Sequence, residues 1–304
     1  GLRTARENIG DLLDAESFVE YGGLAVAAMR RVRGTDDLAA RTPADGIITG
    51  TGTVDGRAVA VMVGDYTVLA GTQGYHHPHK MDRVIEVARA KPGRAALPII
   101  LFAEGGGGRP NDTNAEEMSV AGLNITSFRH FAAHKGPKIG VVAGYCFAGN
   151  AALFGVCDLR IATKDSNIGM GGPAMIEGGG LGAYKPEDIG PIGVQTKNGV
   201  VDIAVADEAE GVAAAKKYLS YFQGPLKTWE AADQRELRHL IPENRLRAYD
   251  VRTVIDTFAD KDSVLELRKD FGIGILTCFI RVEGRPMGLI ANNPYHLGGA
   301  IDAD

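Results

Sequence analysis

The apolar positions of this chain fall into two rhythms that alternate along its length. Around GIITGTGTVDGRAVAVMVGD, beginning at Gly46, two β-rich runs flank Val54-Asp55-Gly56. The Asp-Gly pair is a strong signal for a tight hairpin turn. Pro98 to Ala103 is a short unbroken apolar run that reads as a buried strand, and Lys138 to Val142 and Asp158 to Thr163 read the same way. Between the strands the spacing becomes helical. Met81, Ile85, Val87 and Ala88 predict a helix over 79–90, and Met118, Ala121, Leu123, Ile125 and Phe128 predict one over 115–134. A short helix of small residues is expected over 148–156, a charged helix over 4–13, and a helix followed by a loop over 25–45. AEGVAAAKKYLSYFQ, residues 208 to 222, is a strong amphipathic helix. YDVRTVIDTFAD is another, and ILTCFIRVEGRPMGLIANN is a second hairpin.

Strands alternating with helices predict parallel β crossovers and an α/β fold. The strands at 98–103 and 138–142 both end in glycine-containing turns that lead into helices. Ligands gather at the carboxyl ends of such strands. The second hairpin repeats the plan of the first. GTVDGRAVAVMVGDYTVLAGT and RVEGRPMGLIANNPYHLGGAI each run strand, acidic-Gly-Arg turn, apolar strand, small-residue segment. The preceding LLDAESFVEYG and FADKDSVLELR also match. At about 230 residues, the offset is far too long for a solenoid unit and implies two copies of one fold. The expected division is one complete domain over 1–235 and the opening of a sister domain over 236–304.

Composition narrows the function classes. With 304 residues, 45% hydrophobic and 23% charged, the chain reads as globular with ample length for a core. A net charge of −5 gives no general attraction to nucleic acid or to anionic membrane. No apolar stretch approaches the length of a bilayer span, so no membrane association is expected. Three cysteines lie far apart without a CxxC pair, which fits a reducing, cytoplasmic setting and argues against a zinc ribbon. No Ser-His-Asp pattern, metal quartet or obvious carboxylate pair stands out, and no metal is expected. His76, His77 and His79 in HHPH lack a carboxylate or cysteine at ligand spacing and read as a helix-entry loop. HFAAH, with His130 and His134, lacks the glutamate of a zinc protease motif.

Glycine is the compositional outlier at 41 residues, and four of them, Gly105 to Gly108, stand together between Glu104 and Arg109. This run lacks the Lys-Ser/Thr end of a phosphate-binding P-loop. Bare amides can instead hold an oxygen that gains negative charge. That chemistry needs no side chain and selects Gly and Ala. VVAGYCFAGNAALFG offers a second such loop, with Ala148-Gly149 opening a helix. A tight strand-to-helix turn accounts equally well for the tetraglycine, and close packing for Ala148-Gly149, on these residues alone.

The order and spacing of these blocks resemble one family across nearly the whole chain. TARENIGDLLDAESFVE, GIITGTGTVDGRAVAVMVGDYTVLAGTQG, GYCFAGNAA, YDVRTVID, VEGRPMGLIANNP and GGAIDAD are similar to successive segments of the carboxyltransferase β subunit of biotin-dependent acyl-CoA carboxylases, in the crotonase superfamily. The resemblance implies a crotonase-like β-β-α spiral core in each of two domains. The acyl-CoA site lies mainly in the first domain, and carboxybiotin is held by the second domain of a partner subunit. The implied reaction transfers a carboxyl group from carboxybiotin to the α carbon of an acyl-CoA through an oxyanion-stabilised enolate.

The family's oxyanion pair falls on the backbone N–H groups of Ala148 and Gly149, with Gly106 and Gly107 as further candidates. Candidate substrate-binding positions are Gly105, Gly108, Arg109, Lys80, Cys146, Phe147 and Asn150; Lys80 and neighbouring Arg83 either bind the CoA phosphates or are exposed helix charges. GGGG replaces the family's usual Ser-Gly-Gly-Ala, in the manner of multidomain acyl-CoA carboxylases joined in one chain, and Asn150 stands where the family usually has Ala. Biotin is the implied cofactor, coenzyme A thioester the substrate. Biotin carboxylase and biotin carboxyl carrier subunits or domains are the partners, together with further copies of the chain in a homo-oligomer. A biotin-dependent acyl-CoA decarboxylase α subunit and a non-catalytic scaffold fragment remain open alternatives. The biotin-side loop is expected beyond Asp304, so the chain alone is expected not to turn over carboxybiotin.

Overall fold

A computed structural model describes residues 2–109, 112 and 126–302. The chain forms two compact units, the first from residues up to 195 with 204–215, the second from 196–203 and 216 onward.

In the first unit, helix α1 (Ala5–Leu12) starts at a capping box. Thr4 Oγ1 accepts from the Glu7 N–H, and the Glu7 carboxylate accepts from the Thr4 N–H at 2.7 Å. Strand β1 (Val19–Tyr21) and helix α2 (Thr35–Arg41) precede the first hairpin, β2 (Ile47–Val54) and β3 (Arg57–Gly64). Its turn residues Asp55 and Gly56 have φ of 50° and 74°, the doubly left-handed conformation that a two-residue hairpin demands. Then follow α3 (His76–Ala88), β4 (Ile99–Phe102), α4 (Thr126–Ala132), β5 (Lys138–Val142), β6 (Tyr145–Phe147), α5 (Gly149–Gly155), β7 (Leu159–Thr163) and β8 (Asn167–Gly169). Short helices α6 (Pro173–Gly178) and α7 (Ile192–Gln195) lead to β9 (Ile203–Val205) and α8 (Glu208–Ser220).

The main sheet has the order β1-β2-β3-β4-β5-β7-β9. β1, β2 and β3 pair antiparallel, whereas β3, β4, β5 and β7 run parallel. Every residue of β4 and β5 is buried, as expected for strands covered on both faces. Gly140 in β5 admits the Phe154 ring, since a Cβ there would lie 2.7 Å from Phe154 Cδ2. Beyond the carboxyl ends of these strands, β6 and β8 form a separate two-stranded parallel sheet.

In the second unit, α9 (Leu237–Leu240) and α10 (Val251–Phe258) precede a three-stranded antiparallel sheet of β10 (Leu265–Leu267), β11 (Ile275–Val282) and β12 (Arg285–Asn292). Its core joins Val251 and Ile255, one turn apart on α10, to Ala259, Leu276, Cys278 and Ile280. Tyr218, Tyr221 and Phe222 ring Phe279, with centroids 5.4, 5.4 and 5.9 Å away. Residues 216–235, which the sequence reading assigned to the first domain, therefore pack within the second unit.

The repeat read from the sequence has a geometric counterpart. Asp14, two residues past α1, accepts from the N–H groups of turn residues Asp55 and Gly56 at 3.0 and 2.8 Å. Asp260, two residues past α10, accepts from Glu283 and Gly284 at 2.9 and 2.7 Å. Ser17 Oγ accepts from Thr53 N, as Ser263 Oγ accepts from Arg281 N. Glu16 and Asp262 even share a left-handed φ, 60° and 58°.

Two expectations change, and a third falls partly outside the described residues. Within 25–45 only Thr35–Arg41 forms an α-helix. The helix expected from 79 begins at His76, so the HHPH run forms its first turn. The expected helix over 115–134 is seen as Thr126–Ala132, while Met118, Ala121, Leu123 and Ile125 lie outside the described residues.

Candidate functional site

The two glycine-bearing loops leave the carboxyl ends of neighbouring parallel strands, β4 and β5. Backbone hydrogen bonds lace them together. Gly105 N donates to Tyr145 O at 2.8 Å and Phe147 N to Gly105 O at 2.9 Å. On the other side Gly106 N donates to Ala70 O at 3.2 Å, Gln73 N to Gly107 O at 2.7 Å and Arg109 N to Gln73 O at 2.9 Å. The tetraglycine is thus a seam between residues 70–73 and 145–147. Bare backbone is required in it. Gly105 and Gly107 have φ of 139° and 87°. A Cβ on Gly105 would collide with Gly71 O, and one on Gly107 would lie 2.6 Å from Ala148 Cβ and 3.3 Å from Gly149 N.

These bonds decide which amides are available. Gly105 and Gly106 have spent theirs on the seam, and the Ala148 N–H donates to Gly169 O at 3.0 Å. Ala148, expected to be one half of an oxyanion pair, is therefore committed within the fold. Gly149 sits at the first position of α5, where an N–H has no intrahelical acceptor. Among the described residues no acceptor meets the N–H of Gly107, Gly108 or Gly149. Ala148 nonetheless shapes the turn. Its φ of 51° and ψ of −120° lie in a region open to glycine and costly for an L-residue.

Asn150 is buried, and its side chain faces the fold. Its Nδ2 donates to Glu104 O at 2.6 Å and Gly71 O at 3.4 Å, and its Oδ1 accepts from Gln73 Nε2 at 2.9 Å. Gln73 has no motif around it and was missed by the sequence reading. Cys146 is wholly buried, and burial pushes its thiol well above the ordinary range. Phe147 is buried and stacks on Tyr145 at 5.9 Å.

Two cations expected to meet substrate are instead internal. Lys80 is 7% exposed, and its Nζ donates to Ala44 O at 2.7 Å and to Ile47 O. Burial lowers its pKa to about 8. Arg109 is 4% exposed, 2.5 Å from Asp45 Oδ1 and 3.6 Å from Asp112 Oδ2. Both side chains are oriented inward, Lys80 to carbonyls of the 42–47 segment and Arg109 to Asp45 and to Thr72 O at 2.8 Å. Arg83 remains exposed and pairs with Glu86.

The carboxyl group of Glu104 is a titratable feature that no spacing rule signals. It accepts from Ala143 N at 3.1 Å, bridging the ends of β4 and β5. Burial raises its pKa to about 7, with Glu208 and Asp65 adding to the rise. His77, His130 and His134 serve the fold. Burial drives His77 down to about 3, His130 Nδ1 lies 2.8 Å from Asp82, and His134 Nε2 lies 2.8 Å from Leu97 O. Among the described residues no group of three His, Cys, Asp or Glu is placed to hold a metal ion, and no helix is long and apolar enough to cross a membrane.

Two loops bring bare amides together at the carboxyl ends of adjacent parallel strands of an α/β fold. The carboxyl transferase domain model matches residues 1–304, and the chain belongs to that family. It is 30% identical to the propionyl-CoA carboxylase beta chain of Roseobacter denitrificans, over all of this chain and 60% of that one. It therefore spans about three-fifths of the length of that relative. Among solved structures, a single-chain, multi-domain long-chain acyl-CoA carboxylase matches with a TM-score of 0.93 and 57% identity, over 99% of this chain and 30% of that one. The transcarboxylase 12S hexamer, solved with hydrolysed methylmalonyl-CoA, matches with a TM-score of 0.84 and 29% identity over 99% of this chain and 60% of that one. The fold is the mostly parallel, crotonase-like one of these carboxyltransferases.

Proposed function

We propose that this chain is the acyl-CoA-binding part of the carboxyltransferase component of a biotin-dependent acyl-CoA carboxylase. The observation that carries this reading is the meeting of Gly107 and Gly149, two amides that no acceptor among the described residues meets, in a fold shared with carboxyltransferases. A CoA thioester presents one carbonyl oxygen to this pair. Removing the α proton builds an enolate whose charge settles on that oxygen, and two fixed N–H donors stabilise it. Losing one such donor costs roughly 3–4 kcal/mol. The bare backbone at Gly107 and Gly149 lets the two loops approach closely, since a Cβ on Gly107 would meet Ala148 and one on Gly149 would meet Phe128 and Gln73.

Carboxybiotin, carried by a biotin carboxyl carrier, supplies the carboxyl group and the base. The described residues offer no cradle that we assign to it, and this chain's part is to bind and polarise the thioester. The first unit is the acyl-CoA domain and the second the opening of a sister domain, as the shared Asp14 and Asp260 geometry supports. A biotin carboxylase component completes the cycle. Likeness to the hexameric 12S relative supports assembly of copies of the chain.

Calorimetric titration of the 304-residue chain with CoA thioesters, against free CoA, tests the reading. Saturable thioester binding is expected, weakened by Gly107→Ala, whose methyl group meets Ala148. A folded chain that binds no CoA thioester overturns it.

A further inference from the structure

The amide pair needs a fixed separation, and neither Gly107 nor Gly149 has a side chain to set it. The groups that do so lie one layer beneath. Gln73 grips the tetraglycine through its own backbone, donating to Gly107 O and accepting from Arg109 N. Its side chain reaches the other loop, with Nε2 2.9 Å from Asn150 Oδ1. Asn150 directly follows Gly149 and returns the grip, since its Nδ2 holds Glu104 O, immediately before the tetraglycine, and Gly71 O. A Cβ on Gly149 would stand 3.4 Å from both polar atoms of the Gln73 amide, so the pair forms the floor under the Gly149 turn. Both side chains are more than nine-tenths buried.

Among the described residues the Asn150 amide is bonded to Gln73, Glu104 and Gly71, and Gln73 Nε2 to Asn150, so the pair ties the 71–73 segment and the start of the tetraglycine to the Gly149 turn. Two buried amides are an expensive way to fill space, because each must be fully bonded to avoid a desolvation penalty. Leu or Ala would fill the same volume but hold no register between two glycine segments.

We propose that Gln73 and Asn150 form a positioning pair that sets the distance between the Gly107 and Gly149 amides, and so the strength with which they polarise a thioester carbonyl. The inference rests on the reading given under Proposed function. It also replaces the expectation that Asn150 contacts substrate. Shortening either side chain removes the side-chain link between residue 73 and the Gly149 turn while the backbone bonds of the seam stay, and the two donors lose their fixed spacing. The acyl chain and the nucleotide, held elsewhere, bind as before. Ground-state affinity and carbonyl polarisation therefore separate.

The test is isotope-edited infrared difference spectroscopy of [1-13C]octanoyl-CoA bound to the 304-residue chain, with Kd measured in parallel. In the wild type the thioester carbonyl band moves to lower frequency than in water. In Asn150→Ala and Gln73→Ala the shift is expected to shrink by at least half, while Kd stays within about threefold, the mark of lost polarisation without lost binding. The double variant is expected to lose no more than either single one, because the two residues act as a unit. Gln73→Met keeps the volume and leaves Asn150 bonded to Glu104 and Gly71. It decides the matter should truncation unfold the chain.

A wild-type band shift that persists in full in folded Asn150→Ala, Gln73→Ala or Gln73→Met overturns the positioning role and leaves the functional reading standing. A Kd that collapses while the bound carbonyl keeps its shift returns Asn150 to a substrate contact and likewise overturns it. A wild-type chain that binds octanoyl-CoA with no band shift removes the functional reading itself.

Discussion

Ala148 sits in a glycine conformation, and its N–H is held by Gly169. A residue forced into such a region stores on the order of 1–3 kcal/mol, part of which a glycine returns as greater freedom of the unfolded chain. Ala148→Gly is expected to raise stability by about 1 kcal/mol in urea unfolding; an unchanged or lower midpoint would show the turn is unstrained. Glu104 gives a pH dependence. Its folded pKa of about 7 lies above the ordinary 4.5, so between those values the folded chain holds a proton that the unfolded chain has released. Stability from this group is full below 4.5, falls as pH rises through 7 and is level above. Glu104→Gln keeps the acceptor for Ala143 and removes the charge. Relative to the wild type it should gain on the order of 2 kcal/mol between about pH 5 and pH 8. Parallel curves for the two proteins would contradict the assignment. Of these residues the sequence exposed only those with bare backbones. Gly107 and Gly149 were legible because glycine is a conformational statement. Gln73 and Glu104 were not, because their roles come from what tertiary structure places opposite them. Lys80 and Arg109 were misjudged for the same reason, since a cation carries no mark of whether a buried carbonyl awaits it.

Among elements, the hairpins were the most legible. Asp55-Gly56 and Glu283-Gly284 occupy left-handed turn positions, and the strands on either side pair antiparallel around them. The three-residue strands β6 and β8 escaped notice because a strand that short has no measurable period. The aspartates that cap the hairpin turns give a paired prediction. Asp14→Ala leaves Asp55 N and Gly56 N without their acceptor, and Asp260→Ala does the same to Glu283 N and Gly284 N. Charge-assisted bonds of this kind contribute roughly 1.5–3 kcal/mol. Each variant should lose about that much, less whatever water restores at these turns, as read by hydrogen exchange in its own hairpin. Loss in neither hairpin would mean that the repeated aspartates are incidental.

For the whole molecule, the first unit holds a parallel sheet whose strand ends carry both amide loops, and the second repeats the opening geometry of the first. The second unit takes in residues 216–235, where Tyr218, Tyr221 and Phe222 close around Phe279. The account stands or falls on where a thioester oxygen lies. A crystal structure of the chain with an acyl-CoA bound measures this directly. The account predicts the carbonyl oxygen at about 2.7–3.1 Å from both Gly107 N and Gly149 N. A carbonyl oxygen bonded elsewhere, with those two amides facing solvent or satisfied by protein acceptors, would contradict it.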